Sequence, residues 1–248
     1  MRDAVVSKPD AERDSSRRGI QDLAVIETIL RNRYHFFQEI RDGIGLNDKM
    51  RAMLISSVLF LALYGAVLGS THSLWQTLSS AAKLPLLFLA TLIVCSPTLY
   101  FFNVLFGSNQ SLTQNVALML TAITVTAVLL LSFAPIVVFF LLTTAGYQFF
   151  KLLNVAIFAV CGMVGVVFLA QGMRIVSSAG KEGASARRWV LWLWVLVYAF
   201  VGSQMAWTLR PFIGAPSMKF ELFRQLGGNF YTNVFASIGE ILGFFVVR

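Results

Sequence analysis

From Ala52 to Met173 the chain has no aspartate, no glutamate and no arginine, and its two charges are Lys83 and Lys151. A water-soluble domain carries roughly a quarter charged residues, so the medium around most of this polypeptide is lipid. In hydrocarbon every backbone polar group must be bonded internally, which leaves helices or a closed barrel. The stretch from Leu84 to Leu105 is continuous in Leu, Phe, Ile and Val without the alternation of a barrel strand, and this selects helices.

Five apolar segments, at about 51–69, 84–106, 113–142, 149–173 and 189–209, each meet the ~20 residues needed to cross ~30 Å of hydrocarbon. The expected fold is an all-α integral membrane bundle of five transmembrane helices. A sixth apolar segment, Phe230 to Val247, contains Asn233, Ser237 and Glu240. Its length and carboxylate favour an interfacial or re-entrant helix, with a sixth crossing as the alternative. Three regions follow: residues 1–50 as a cytosolic tail and amphipathic helix, 51–209 as the bundle, and 210–248 as an outward C-terminal segment. Short loops between spans two and three, and three and four, predict antiparallel hairpins.

Residues 1–18 are polar and of mixed charge, a composition that buries nothing. They lack an apolar signal-peptide core, so the first span is expected to act as an uncleaved insertion signal. In residues 20–41, Leu23, Ile26, Leu30, Tyr34 and Phe37 fall on one arc at helical spacing, opposite Glu27, Arg31, His35, Gln38 and Glu39. This helix is expected on the membrane surface or against a partner. Gly43 and Gly45 end it, and Asn47 and Asp48 are candidate caps for the first span.

The net charge of +8 raises nucleic acid as a partner. The basic residues flank apolar runs instead of forming a patch, which is the placement of topology signals and headgroup contacts, so nucleic-acid binding is not expected. Lysine and arginine concentrate before the first span (Arg31, Arg33, Arg41, Lys49 and Arg51 among them) and between spans four and five (Arg174, Lys181, Arg187, Arg188). That asymmetry predicts a cytoplasmic N-terminus. Arg210, Lys219 and Arg224 then face outward and run against the bias. Asn109-Gln-Ser111 is a glycosylation sequon in a loop predicted cytoplasmic, so it should be silent.

The chemistry of catalysis is thin. Spans one to five contain no Asp, Glu or His, so proton or cation coupling through them is not expected. His35 and His72 have no second ligand at metal or haem spacing, and no nucleophile stands beside a base. No metal, cofactor or catalytic residue is expected. Cys95 and Cys161 lie within apolar runs and read as packing residues. Pro85, Pro97 and Pro135 interrupt spans and are expected to free carbonyls inside the bundle.

Candidate contacts to lipid or partner are Gly65, Gly69, Lys83, Lys151, Arg210, Phe212, Phe220 and Phe223. Gly65 and Gly69 make a GxxxG face for close helix approach, within the bundle or between copies. Lys83 and Lys151 head spans two and four, where their stems can snorkel to water; the sharper reading has the two cations flanking an anion pocket. Arg210-Pro-Phe-Ile-Gly-Ala-Pro216 reads as a helix stop with a headgroup contact, or as the start of a docking segment that uses Phe212, Phe220, Phe223 and Phe230. Trp189, Trp192, Trp194, Tyr198 and Trp207 give span five aromatic residues toward both ends, as interfacial anchors. Asn103, Gln114, Asn115, Asn154, Gln171 and Gln204 either bond helices together or line an uncharged path.

Lys83-Leu-Pro-Leu-Leu-Phe88 running to Pro97-Thr-Leu-Tyr-Phe-Phe-Asn103-Val-Leu-Phe-Gly107, together with Trp207-Thr-Leu-Arg210-Pro-Phe-Ile-Gly-Ala-Pro216 and Asn229-Phe-Tyr231, resembles a family of small bacterial multi-pass membrane proteins of unknown function. The likeness covers most of residues 35 to 243. Members are sometimes labelled as carrying an actin-binding motif, to which Leu46-Asn-Asp-Lys49 is a weak match on a helix leading into a span. A more distant likeness, in architecture alone, is to Yip1-type proteins, which also place a cytosolic segment before five helices. Neither resemblance implies catalytic residues. The expected function is a non-enzymatic scaffold or accessory subunit of a membrane assembly in the bacterial cytoplasmic membrane, with lipid, other membrane proteins and a second copy as partners. The alternative is a small-molecule or lipid transporter or channel.

Overall fold

The computed structural model describes residues 24–70, 73–105, 110–143, 146–177, 184–213, 222–223 and 228–242, apart from the side chains of 184–188 and 190. Among these residues all regular structure is helical. Helix α1 is described over residues 24–31; then come α2 (Arg33–Asp42), α3 (Leu46–Gly69), α4 (Leu74–Leu105), α5 (Leu112–Thr143), α6 (Tyr147–Val176), α7 (Ala184–Thr208) and α8 (Phe230–Ile241). Helices α3 to α7 carry the five stretches long and apolar enough to cross a membrane. The chain is an all-helical, multi-pass membrane bundle.

Helix α5 lies at the centre, packed against α2, α3, α4 and α6, while α7 packs on α4 and α8. Small residues set these approaches, because helix association in lipid is driven by close van der Waals fit. A Cβ placed on Gly65 would lie 2.4 Å from the Ser80 carbonyl oxygen, and one on Gly69 2.5 Å from that of Gln76. The GxxxG face is therefore used inside the bundle, between α3 and α4. On α6, a Cβ at Gly165 would meet Thr126 Oγ1 at 2.3 Å, and one at Gly172 would meet Leu118 and the Phe37 ring at 2.6 Å.

Three expectations about the elements change. The second span begins at Leu74 rather than near residue 84, so α4 has 32 residues and a length of about 48 Å. Its first ten residues are helical because Gln76, Ser80 and Lys83 fall on one face and find acceptors there, described below. The tight hairpin is consequently α3–α4, joined through 70–73, whereas α4 and α5 meet less closely than α5 and α6.

The second change is in the N-terminal helix, which breaks at Asn32. The buried face is turned by about one residue from the expected arc: Ile29, Phe36 and Ile40 keep one helical phase across Asn32 and are buried with Phe37, while Leu30 and Tyr34 are exposed. Ile26 is half-buried, and Leu23 lies outside the described residues. The helix packs against α5 and α6 of its own chain. Gln114 Nε2 donates to the carbonyls of Ile40 (3.2 Å) and Arg41 (2.8 Å) and fixes its end.

The third concerns capping. Gly43 closes α2 with φ 73°, and Gly45, φ 60°, is itself the N-cap of α3. Both positions need the left-handed backbone that glycine adopts freely. Asn47 and Asp48 lie inside the first turn of α3, and neither side chain caps it. Lys49 ties the elbow by an ion pair with Glu39 at 3.0 Å.

Candidate functional site

The polar side chains of the apolar helices form two sets. The first is internal and joins helices. Asn103 Nδ2 donates to Asn115 Oδ1 (3.1 Å), and Asn115 Nδ2 to the Ser96 carbonyl (3.3 Å). The neighbouring Cys95 carbonyl accepts from Trp194 Nε1 (3.2 Å). Both carbonyls belong to the two residues before Pro97, so α4 is bonded to α5 and α7 beside its proline. Toward the α8 end, Tyr64 Oη donates to Asn154 Oδ1 at 3.0 Å while Asn154 Nδ2 donates to the Phe150 carbonyl. Between them, Ser57 and Thr124 share a hydrogen bond of 2.9 Å, and Thr121, Thr124 and Thr126 each donate to the carbonyl four residues back. Asn103, Asn115 and Asn154 are all at or below 5% exposure. Gln171 and Gln204 are half-buried on α6 and α7.

Replacing Tyr64 with phenylalanine removes the α3–α6 bond and leaves Asn154 Oδ1 buried without that donor. Interhelical bonds in lipid contribute about 0.6–2 kcal/mol. Unfolding in mixed detergent should register a loss of that size, and none in an Asn154→Ala background.

The second set gathers at the α8 end. Gln76, Ser80 and Lys83 recur at helical spacing on one face of α4, and each holds a backbone carbonyl of the C-terminal segment. Gln76 Nε2 donates to Pro211 (2.9 Å), Ser80 Oγ to Phe212 (2.7 Å) and Lys83 Nζ to Leu222. Gln76 and Ser80 are also bonded to each other at 3.2 Å. The Lys83 ammonium lies 4.8 Å from the centre of the Phe223 ring, and the residue is 5% exposed. It turns into its own chain instead of snorkelling to water.

Lys151 Nζ donates to Asn233 Oδ1 of α8 at 2.9 Å, and Gln148 Nε2 to Glu240 Oε2 at 2.8 Å. Helix α8 has 12 residues, about 18 Å, and so is too short to cross ~30 Å of hydrocarbon. It bridges α6 and α7. On the α7 side Trp207 Nε1 donates to the Gly228 carbonyl (3.2 Å), Ser203 Oγ to Tyr231 Oη (3.0 Å), and the Arg210 guanidinium stacks 3.4 Å from the centre of the Trp207 ring. A capping box between Asn229 and Thr232 opens α8.

The candidate residues are thus distributed as follows. Gly65 and Gly69 pack on α4. Lys83 joins Phe223, and Phe212 is half-buried beside Ser80 on the same helix. Lys151 is held separately by α8. Arg210 sits at the α7–α8 junction, and Phe220, His72 and Asn109 lie outside the described residues. Gln76 and Ser80 were not singled out by sequence, although their spacing with Lys83 on a helix is the signal that finds them. The Thr121, Thr124 and Thr126 hydroxyls were missed because each bonds first to its own helix. No group of three His, Cys, Asp or Glu residues able to hold a metal occurs among the described residues. Comparison with protein-family models, curated proteins and solved structures found no match to this chain.

Proposed function

We propose that this chain is a non-enzymatic scaffold or accessory subunit of a larger membrane assembly, seated against its partner by α7. The observation that carries the reading is the coverage of that helix. In its membrane window 11% of the residues are buried, against 28–50% in the other four spans. A span that packs on one bundle helix has little of the close contact that holds helices together in lipid, and a partner helix supplies it. The face available is Trp189, Trp192 and Leu193, all exposed.

The excess of lysine and arginine at the end of the bundle where α2 packs supports placing that end in the cytoplasm. The resemblance to small bacterial multi-pass proteins supports the bacterial cytoplasmic membrane. The engagement of Asn103, Gln114, Asn115 and Asn154 with neighbouring helices weighs against an uncharged transport path lined by those amides.

A photo-crosslinking side chain placed at Trp192 in native membranes should give one discrete protein adduct. The same probe at Ile93, an exposed residue of α4, should give none. Adducts absent at Trp192, or identical at both positions, would defeat the reading. An adduct of twice the chain's mass would identify the partner as a second copy.

A further inference from the structure

The polarity of α8 is inverted. Asn233, Ser237 and Glu240 recur at helical spacing on the side turned to the bundle: Lys151 donates to Asn233, Gln148 donates to Glu240, and Ser237 is buried. The other side carries Tyr231, Phe235, Ile238 and Leu242, all exposed, with Phe235 at 71%. Thr232, next to this stripe, turns its hydroxyl back to the Asn229 carbonyl. A helix lying on a membrane surface does the reverse and presents polar and basic residues to water. Helix α8 contains no basic residue.

Its depth is read along α7. The apolar window of that helix, Leu191–Thr208, has 18 residues and a length of about 27 Å, close to the ~30 Å of hydrocarbon it must cross. Trp207, at one end of the window, donates to the Gly228 carbonyl. Phe200, at its middle, stacks on the Tyr231 ring with centres 6.3 Å apart and an interplanar angle of 15°, and Ser203 between them bonds the Tyr231 hydroxyl. Between Gly228 and the Tyr231 ring the chain therefore descends by about 10 Å, from the end of the window to its middle. The far end of α8 is elsewhere: Glu240 meets Gln148, the second residue of α6, at the mouth of that span.

The tip is also built for a place without water, where backbone groups must find partners within the chain. Asn229 Oδ1 accepts from the Thr232 amide at 2.8 Å, and Thr232 Oγ1 accepts from the Asn229 amide at 3.1 Å. We infer that α8 is a re-entrant helix whose N-terminal end is inserted in the bilayer, and that the stripe of Tyr231, Phe235, Ile238 and Leu242 is a surface for the acyl chains of the leaflet on that side. Its contacts to α7 lie in the half of that helix away from Trp189 and Trp192, so the inference stands or falls independently of a partner on those residues.

The test uses the full chain in phosphatidylcholine vesicles, with a single bimane-labelled cysteine at Phe235 or at Leu242. Cys95 and Cys161 are buried, so the wild type treated alike sets the background. Quenchers are a lipid with a nitroxide halfway along its acyl chain, a lipid with a nitroxide on its headgroup, and aqueous iodide. At Phe235 the mid-chain nitroxide should quench more than the headgroup nitroxide, and at Leu242 the order should reverse. Stronger headgroup quenching at both positions would lay α8 flat on the surface. Iodide quenching at Phe235 would put the stripe in water, and protection there from all three quenchers would put a protein against it; each of these results overturns the inference. If a cysteine variant misfolds, hydrogen–deuterium exchange of the wild type in nanodiscs decides. The amides of 230–235 should exchange more slowly than those of 238–241, the opposite of a helix whose unbonded first turn meets water, and equal or faster exchange at 230–235 would overturn the inference as well.

Discussion

Replacing Gly65 with alanine is expected to destabilise the bundle by about 1–3 kcal/mol, the range for overpacking a close-fitted core. The neighbour that the new Cβ would strike at 2.4 Å is the Ser80 carbonyl oxygen, and the Ser80 carbonyl carbon and Ala81 Cα lie at 2.9 and 3.1 Å. These are backbone atoms, so no side-chain rotation relieves the clash and α4 must move bodily. Gly162 on α6 is the internal control: a Cβ there meets nothing within 4 Å. Alanine in an unhindered helical position gains up to about 1 kcal/mol over glycine, so Gly162→Ala should be neutral or stabilising. The two variants add the same single carbon, and thermal unfolding of both in one detergent should give shifts of opposite sign. Equal shifts would mean that α3 and α4 are not in the contact described.

Lys83→Glu is expected to be more damaging still. At 5% exposure Lys83 sits between the Leu222 carbonyl and the negative face of the Phe223 ring. A carboxylate in its place would meet two groups of its own sign, and an uncompensated buried charge costs about 3–5 kcal/mol. Lys83→Met keeps the apolar stem and loses the hydrogen bond and ring contact, a smaller loss of about 1.5–3 kcal/mol for a bond to a charged donor. A cysteine introduced at Phe212 reports the same change locally: its reaction with a water-soluble maleimide should rise most in the Glu background. A Met variant less stable than the Glu variant would remove the ammonium from the role given to it.

The spans were legible because lipid tolerates so few polar residues. Apolar length alone located α3, α5 and α6 to within about five residues, and length with the carboxylate favoured an interfacial or re-entrant helix over a sixth crossing for the C-terminal segment. The same logic misplaced the start of α4. Gln76 and Ser80 fell before the expected start of the span and Lys83 at its head, because their acceptors at Pro211, Phe212 and Leu222 lie 132 to 139 residues away in sequence, and no local pattern carries that distance. The N-terminal helix failed differently. Its period was sound, but the arc through Leu30 and Tyr34 lies about one residue round from the face that packs, which Ile29, Phe36 and Ile40 occupy. Gly65 and Gly69 announced themselves by spacing, whereas Gly165 and Gly172, seven apart with Leu169 between, resemble ordinary scatter in an apolar helix.

The hold of α4 on the C-terminal segment also orders events during synthesis. The amide, hydroxyl and ammonium on α4 enter the membrane well before the ribosome reaches Leu222, and at about 5–20 residues per second that interval is about 7–28 seconds. Until then the start of α4 must keep to the headgroup region or borrow water. Arrival of the final segment lets it settle, so a chain cut short after α7 leaves the Ser80 hydroxyl and the Lys83 ammonium without their acceptors and the Gln76 amide with Ser80 alone.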